Sequence, residues 1–257
     1  MKRYGLRNLH LRGGIVATLI LAASSGIAAP VDFSGVWERY PPLHNPALTP
    51  EAIFAEGAPM PGAKPRLREP FATQYEALEK KSAAAEESGQ PLADAGIRCL
   101  PSGVPAMMTA ILPLEIVQRR DELLILAEEL AEIRRIYINE KMPPAGEIAP
   151  SYHGYSVAHW EGATLVIQTQ GIREDVRFLD MPHSADMRVT ERLRLTAPDM
   201  LEEQGTLEDP AVLVAPYRFT FKYKRNSTYK VAEYVCDDNH YDVNGTGSVI
   251  FHSEPKR

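Results

Sequence analysis

Tyr155-Ser156-Val157-Ala158-His159-Trp160-Glu161-Gly162-Ala163-Thr164-Leu165-Val166-Ile167-Gln168-Thr169 is the stretch that decides the fold. Two runs of β-branched, aromatic and aliphatic residues flank Glu161-Gly162-Ala163, a turn short enough to close a hairpin. Side chains alternate along an extended chain, so Tyr155, Val157 and His159 share one face and Ser156, Ala158 and Trp160 the other. Along the second run Leu165, Ile167 and Thr169 oppose Thr164, Val166 and Gln168. Similar units recur on both sides. Leu114–Gln118 and Leu123–Ala127 flank Arg119-Arg120-Asp121-Glu122, and Ile133–Ile138 follows. Met187–Leu195 meets Met200–Leu207 across Ala197-Pro198-Asp199, and Tyr217–Lys224 meets Tyr229–Cys236 across Arg225-Asn226-Ser227-Thr228. Roughly nine or ten strands joined by tight turns predict a mainly β protein, an antiparallel up-and-down meander. A meander of that length curls closed to remove its edges, giving a β-barrel whose interior can hold a small molecule.

Upstream of the strands the chain changes character. Lys2, Arg3, Arg7 and Arg12 precede an apolar, small-residue run, Gly13 to Ala23, followed by Ser24-Ser25-Gly26-Ile27-Ala28-Ala29. A basic start, a short apolar run and a small-residue end read as a secretory signal peptide over residues 1–28, and the run is short for a membrane span. The expected mature chain is therefore periplasmic or secreted, with no membrane span. Cleavage would take the formal net charge from -6 to -10, which argues against a nucleic-acid surface. Asp32-Phe33-Ser34-Gly35-Val36-Trp37 reads as a first strand. A Pro-rich stretch, Pro41 to Pro70, then contains Thr49-Pro50-Glu51-Ala52, which has the cap and first-turn proline of a short helix. A longer helix is expected from Pro70 to about Glu87, where Phe71, Tyr75 and Leu78 recur at helical spacing, with a solvated second half. Residues 29–110 thus form a Pro-rich, partly helical arm with the first strand, and 111–257 the barrel, with 29–257 as one structural domain.

Two cysteines, Cys99 and Cys236, read as a disulfide in an oxidising compartment, the rival being a free reactive thiol. Met107-Met108, in the loop after Arg98-Cys99-Leu100-Pro101, reads either as a pocket lining or as core filler.

Strand alternation also indicates which polar groups point inward. Glu191 shares its face with Val189, Leu193 and Leu195, while Thr190, Arg192 and Arg194 take the opposite face. Glu233 repeats the situation between Val231 and Val235. A lone carboxylate on an apolar face is costly unless paired or protonated. Arg134, on the face of Glu132, is a candidate partner. Tyr217, Phe219, Phe221 and Tyr223 form an aromatic face that reads either as core or as the wall of a cavity for an apolar or aromatic ligand. Tyr155, His159, Trp160 and Arg134 complete the candidate ligand-binding set. His183, in Pro182-His183-Ser184, sits in a loop entering the Glu191 strand, where a general acid or base is commonly placed. No metal-binding spacing of histidines occurs, and no nucleotide, dinucleotide or serine-nucleophile motif, so no cofactor is expected.

Together Asp32-Phe33-Ser34-Gly35-Val36-Trp37, Arg98-Cys99-Leu100-Pro101 with Met107-Met108, Arg134-Arg135-Ile136-Tyr137, Gly154 to Thr169, Pro182-His183-Ser184 with Thr190-Glu191-Arg192, Glu208-Asp209-Pro210 and Glu233-Tyr234-Val235-Cys236 carry a resemblance. They resemble the motifs of a family of exported bacterial proteins. The resemblance covers most of the mature chain; it implies a lipocalin-like β-barrel and brings no activity with it. The chain departs from that pattern in Asp237-Asp238-Asn239-His240-Tyr241 after Cys236, and in Ala163, where an Asp is usual.

Three functions follow as expectations. The first is a cofactor-independent lyase, hydratase or isomerase acting on a partly apolar or aromatic molecule. Glu191 and Glu233 would be its carboxylates, His183 the partner at the rim, and Arg192 or Arg134 a charge stabiliser. The second is a periplasmic carrier or sensor that binds such a ligand unchanged. The third is a structural envelope protein with a filled barrel.

Overall fold

A computed structural model describes residues 31–42, 64–89, 92, 98–236, 242–243 and 249–250. The signal segment, the Thr49–Ala52 helix and the Asp237–Tyr241 departure lie outside the described residues. Nine strands form one closed barrel in sequence order: β1 (Gly35–Arg39), β2 (Leu114–Gln118), β3 (Glu122–Ala127), β4 (Glu132–Ile138), β5 (Tyr155–Glu161), β6 (Thr164–Gln170), β7 (Arg188–Ala197), β8 (Met200–Glu208) and β9 (Tyr217–Arg225). The β5–β6 hairpin turns at Gly162, which takes the positive φ of +61° that the tight turn requires. β1 closes the ring, pairing antiparallel with β2 on one side and β9 on the other; Trp37 lies opposite both Leu114 and Arg225.

Two features depart from the expected meander. β4 and β5 are parallel, with Ile136 opposite Ser156 and Ile138 opposite Ala158. The Pro143-Pro144 connection, residues 139–154, returns the chain to the starting end of β4 before β5 begins, as parallel neighbours require. The second correction concerns Tyr229–Cys236, which is not a strand. β1 already occupies the edge of β9 that it would need. Instead Tyr229 Oη donates to both carboxylate oxygens of Glu128, at 2.8 and 2.9 Å, and Ala232 N donates to Glu128 Oε2 at 3.1 Å. The segment ends at the disulfide between Cys99 and Cys236, with Cα atoms 5.7 Å apart. Closing so long a loop stabilises the fold by about 4–5 kcal/mol in the chain-entropy account.

The helix, α1 (Phe71–Glu87), follows the expected span, and the residues before it join the 209–214 loop. Leu67 bridges Leu213, Arg68 N donates to Val212 O at 2.8 Å, and Tyr75 Oη donates to Leu179 O at 3.2 Å. Inside the barrel Trp37, Met107, Met108, Ile116, Leu123, Ile125, Ile136, Leu165, Val189, Leu193 and Phe221 are all buried to 1% exposure or less. Side chains of that low exposure fill the interior around them.

Gly205 on β8 permits one part of that packing. Phe219, opposite it on β9, lays its ring across the glycine, and a Cβ there would overlap the ring. Gly205→Ala should therefore destabilise the barrel by about 1–3 kcal/mol through overpacking, and Phe219→Leu in the same chain should recover part of the loss. Urea unfolding of the single and double variants measures both effects.

Candidate functional site

The barrel interior is apolar along β2 and β3 but carries a polar belt along the other seven strands. Arg134 sits on the inward face of β4 between Glu132 and Ile136, and reaches over β5 and β6 to β7. Its Nη1 donates to Glu191 Oε1 at 2.8 Å and its Nη2 to Glu191 Oε2 at 2.5 Å. Nη2 also donates to Thr169 Oγ1 on β6 at 2.9 Å, and Nε and Nη2 lie 3.4 and 3.3 Å from Ser156 Oγ on β5. Ser156 and Thr169 bond to each other at 2.8 Å. Arg134 and Glu191 are both 0% exposed. Burial alone would lower the Arg134 pKa, but the Glu191 carboxylate beside it raises it further, so the guanidinium is charged.

The belt continues through Glu203 on β8, Tyr223 on β9 and Arg39 on β1. Glu203 is fully buried, and its pKa is raised well above the ordinary range by burial first and by the neighbouring Glu191 carboxylate second. Its Oε2 lies 2.9 Å from Tyr223 Oη, which lies 2.8 Å from the main-chain oxygen of Met108. A neutral Glu203 donating to Tyr223, with Tyr223 donating to Met108, satisfies that chain. Glu203 Oε1 is buried without a partner.

Arg39 is 6% exposed. Its Nη1 donates to the same Met108 oxygen at 3.2 Å, and its guanidinium lies 4.5 Å from the centre of the Phe221 ring. Nε and Nη2 are buried and have no partner. Burial lowers the Arg39 pKa, opposed by Tyr223 and Glu203. Phe221 continues into Phe219 at 4.9 Å and Phe178 at 5.1 Å from Phe219, an aromatic run leading away from the guanidinium.

The sequence-predicted residues divide sharply. Glu191 does face inward, and Arg134 is its partner. Glu233 does not face inward; it is exposed in the irregular segment after β9. Arg192 lies on the outer face and pairs with Glu161 at 2.8 Å. His183 is buried at the rim, its Nδ1 2.9 Å from Ser184 O and its Nε2 without a partner. No hydrogen bond or ion pair joins any two of Glu191, Glu233, His183 and Arg192 among the described residues. Of the ligand-binding set, Tyr217, Phe219 and Phe221 point inward with Arg134; burial raises the Tyr217 pKa. Tyr155 is on the outer face, stacked on Tyr137 at 5.1 Å, and exposed His159 pairs with Glu161 at 3.2 Å. Trp160 packs on Phe33 at 5.6 Å. His153, just before β5, meets Glu132 at 2.8 Å.

Glu203 and Arg39 were not singled out from sequence, although the signal was there. Leu201, Glu203, Gly205 and Leu207 alternate onto one face, and Arg39 follows Trp37 by two. Among the described residues no three His, Cys, Asp or Glu side chains converge as a metal site, and no helix is long and apolar enough to cross a membrane. The structure also has outer-surface grooves. One, of about 490 Å³, lies between residues 170–175 and 185–188, and another lies over Gly205 on the outer face of β7–β9.

No protein-family model matches the chain, and no curated protein matches it. Among solved structures the chain is similar to the crystal structure of a point mutant of the fluorescent protein UnaG, at 14% identity, 76% of this chain and 96% of that chain being covered, with a TM-score of 0.34. A likeness of that size says nothing about what this chain binds.

Two measurements follow from the belt. Glu191→Gln leaves the Arg134 charge without its counter-ion and should cost about 3–5 kcal/mol in denaturant unfolding. Replacing both partners by apolar residues of similar volume should restore most of it. For Glu203 the sign is opposite to that of an ordinary salt-bridged acid. A carboxyl whose folded pKa is raised favours folding fully below the unfolded value, and that contribution is lost as pH rises through the folded value. Glu203→Gln removes this dependence, so its melting temperature should gain on the parent's from about pH 5 upward. Melts across a pH series read the difference.

Proposed function

We propose that this chain is an exported carrier or sensor that binds a small, partly apolar molecule within its barrel and leaves it chemically unchanged. The observation that carries the reading is that three of the buried hydrogen-bonding atoms without partners lie together in the belt: Arg39 Nε and Nη2 and Glu203 Oε1. Such atoms cost stability, and a folded protein rarely retains several close together without a use for them. They border the Phe221–Phe219–Phe178 run, which suits the apolar body of a ligand. Acid–base catalysis is the weaker account, because Glu191 is bound bidentately by Arg134 and sealed from water. The disulfide and the leader-like N-terminus fit export.

Screening aromatic and aliphatic compounds by thermal shift should find ligands that raise the melting temperature. A site filled to one hundred times its dissociation constant adds about 2.7 kcal/mol. Phe221→Leu should weaken those ligands about tenfold while keeping the fold. Recovered ligand should be unaltered by mass spectrometry; a chemically changed product would return the weight to the enzyme.

A further inference from the structure

The segment Ala106–Thr109, a single 3-10 turn, inserts into the barrel with Met107 and Met108 buried. Its internal bonds are local: Met107 N to Gly103 O at 2.7 Å, Met108 N to Pro105 O at 3.0 Å and Ala110 N to Met107 O at 3.2 Å. Its polar attachment to the barrel wall is at one atom, the Met108 carbonyl oxygen, which accepts from Arg39 and Tyr223. That oxygen is a neutral acceptor facing a charged fork, and it leaves two guanidinium nitrogens unmatched. The two groups that meet it are both donors, the Arg39 guanidinium and the Tyr223 hydroxyl. Arg134 is paired with Glu191, whereas no carboxylate forms an ion pair with Arg39 among the described residues. A carboxylate offers two charged oxygens and matches the fork where a carbonyl does not.

We propose that Arg39 and Tyr223 form a carboxylate clamp in which the Met108 carbonyl stands in for the head group of an amphipathic monoanion. The methionine pair then holds the place of that ligand's apolar body. Methionine suits the role, being unbranched and able to repack in irregular space. Binding moves the 3-10 turn out, seats the anion on the fork and lays the apolar body along Phe221 and Phe219. The inference rests on the binding reading above and adds the charge and class of the ligand.

The test uses two matched series on the mature chain: 2-naphthoate, 2-naphthylmethanol and 2-naphthylmethylammonium, and decanoate, decanol and decylammonium, each by isothermal titration. In the parent the carboxylate of a series should bind about tenfold tighter than its alcohol, with the ammonium weakest. Arg39→Met should bring carboxylate and alcohol within about twofold of each other and melt no lower than the parent, because it removes an unpaired buried charge. Arg39→Lys keeps the charge and loses the fork, so it should retain part of the carboxylate preference. Equal binding of carboxylate and alcohol by the parent overturns the clamp and leaves the carrier reading standing. No binding in either series overturns both. A carboxylate preference that survives Arg39→Met, or a Met variant that melts well below the parent, makes Arg39 a structural residue and overturns the clamp alone.

Discussion

The ion pair between Arg134 and Glu191 is the constraint on which the rest of the interior depends. Two opposite charges sealed from water tolerate almost no change of geometry, since desolvation is compensated only while both forks stay engaged. Arg134 must leave β4 on the inner face, cross β5 and β6 above two hydroxyls, and meet a carboxylate on β7. A one-residue slip in any of these strands would turn its contribution outward. The pair therefore fixes the register of four consecutive strands, including the parallel junction of β4 and β5, where a simple meander has no precedent to follow.

From that pair the remaining protonation states follow. Arg134 grips Glu191 with two hydrogen bonds; burial first, and that neighbouring carboxylate second, push the Glu203 pKa well above the ordinary range. Neutrality turns Glu203 from an acceptor into a donor, and Tyr223 passes the direction on to Met108. Arg39 is the one arginine of the belt with no ion pair among the described residues, and two of its nitrogens have no hydrogen-bond partner. Stability alone would favour an apolar residue there. A buried charge kept at such a cost, beside a methionine pair and an aromatic run, is the departure from optimal packing on which the proposed binding function rests.

Sequence alternation made much of this legible. Glu191 stood out as the one charged residue among Val189, Leu193 and Leu195, and Arg134 was identified as a candidate for its relief. Glu203 escaped because it is half of a Glu202-Glu203 pair, and an acidic doublet reads as solvated surface until the leucines on either side assign its face. Arg39 escaped because the first strand was ended at Trp37, one alternation too soon. Glu233 was misplaced for a topological reason. Its valine neighbours alternate like a strand, but β1 had taken the edge on which that strand would have formed.

What the sequence by itself determined is whatever depends on near neighbours along the chain: the β2–β3, β5–β6 and β7–β8 hairpins, the inward and outward faces of those strands, and the helix from Phe71 to Glu87. It also limited the cysteines to one possible bridge. Only the tertiary structure decided which faces meet. Whether β4 and β5 run parallel, whether Glu191 is neutralised by Arg134 or free to titrate, and whether a lone arginine lies against a main-chain carbonyl all depend on contacts between residues far apart in sequence. Periodicity fixes a side chain's direction from its own strand, because the backbone sets it locally. It carries no information about what lies across the barrel, because closure and crossover are settled by the packing of the whole ring.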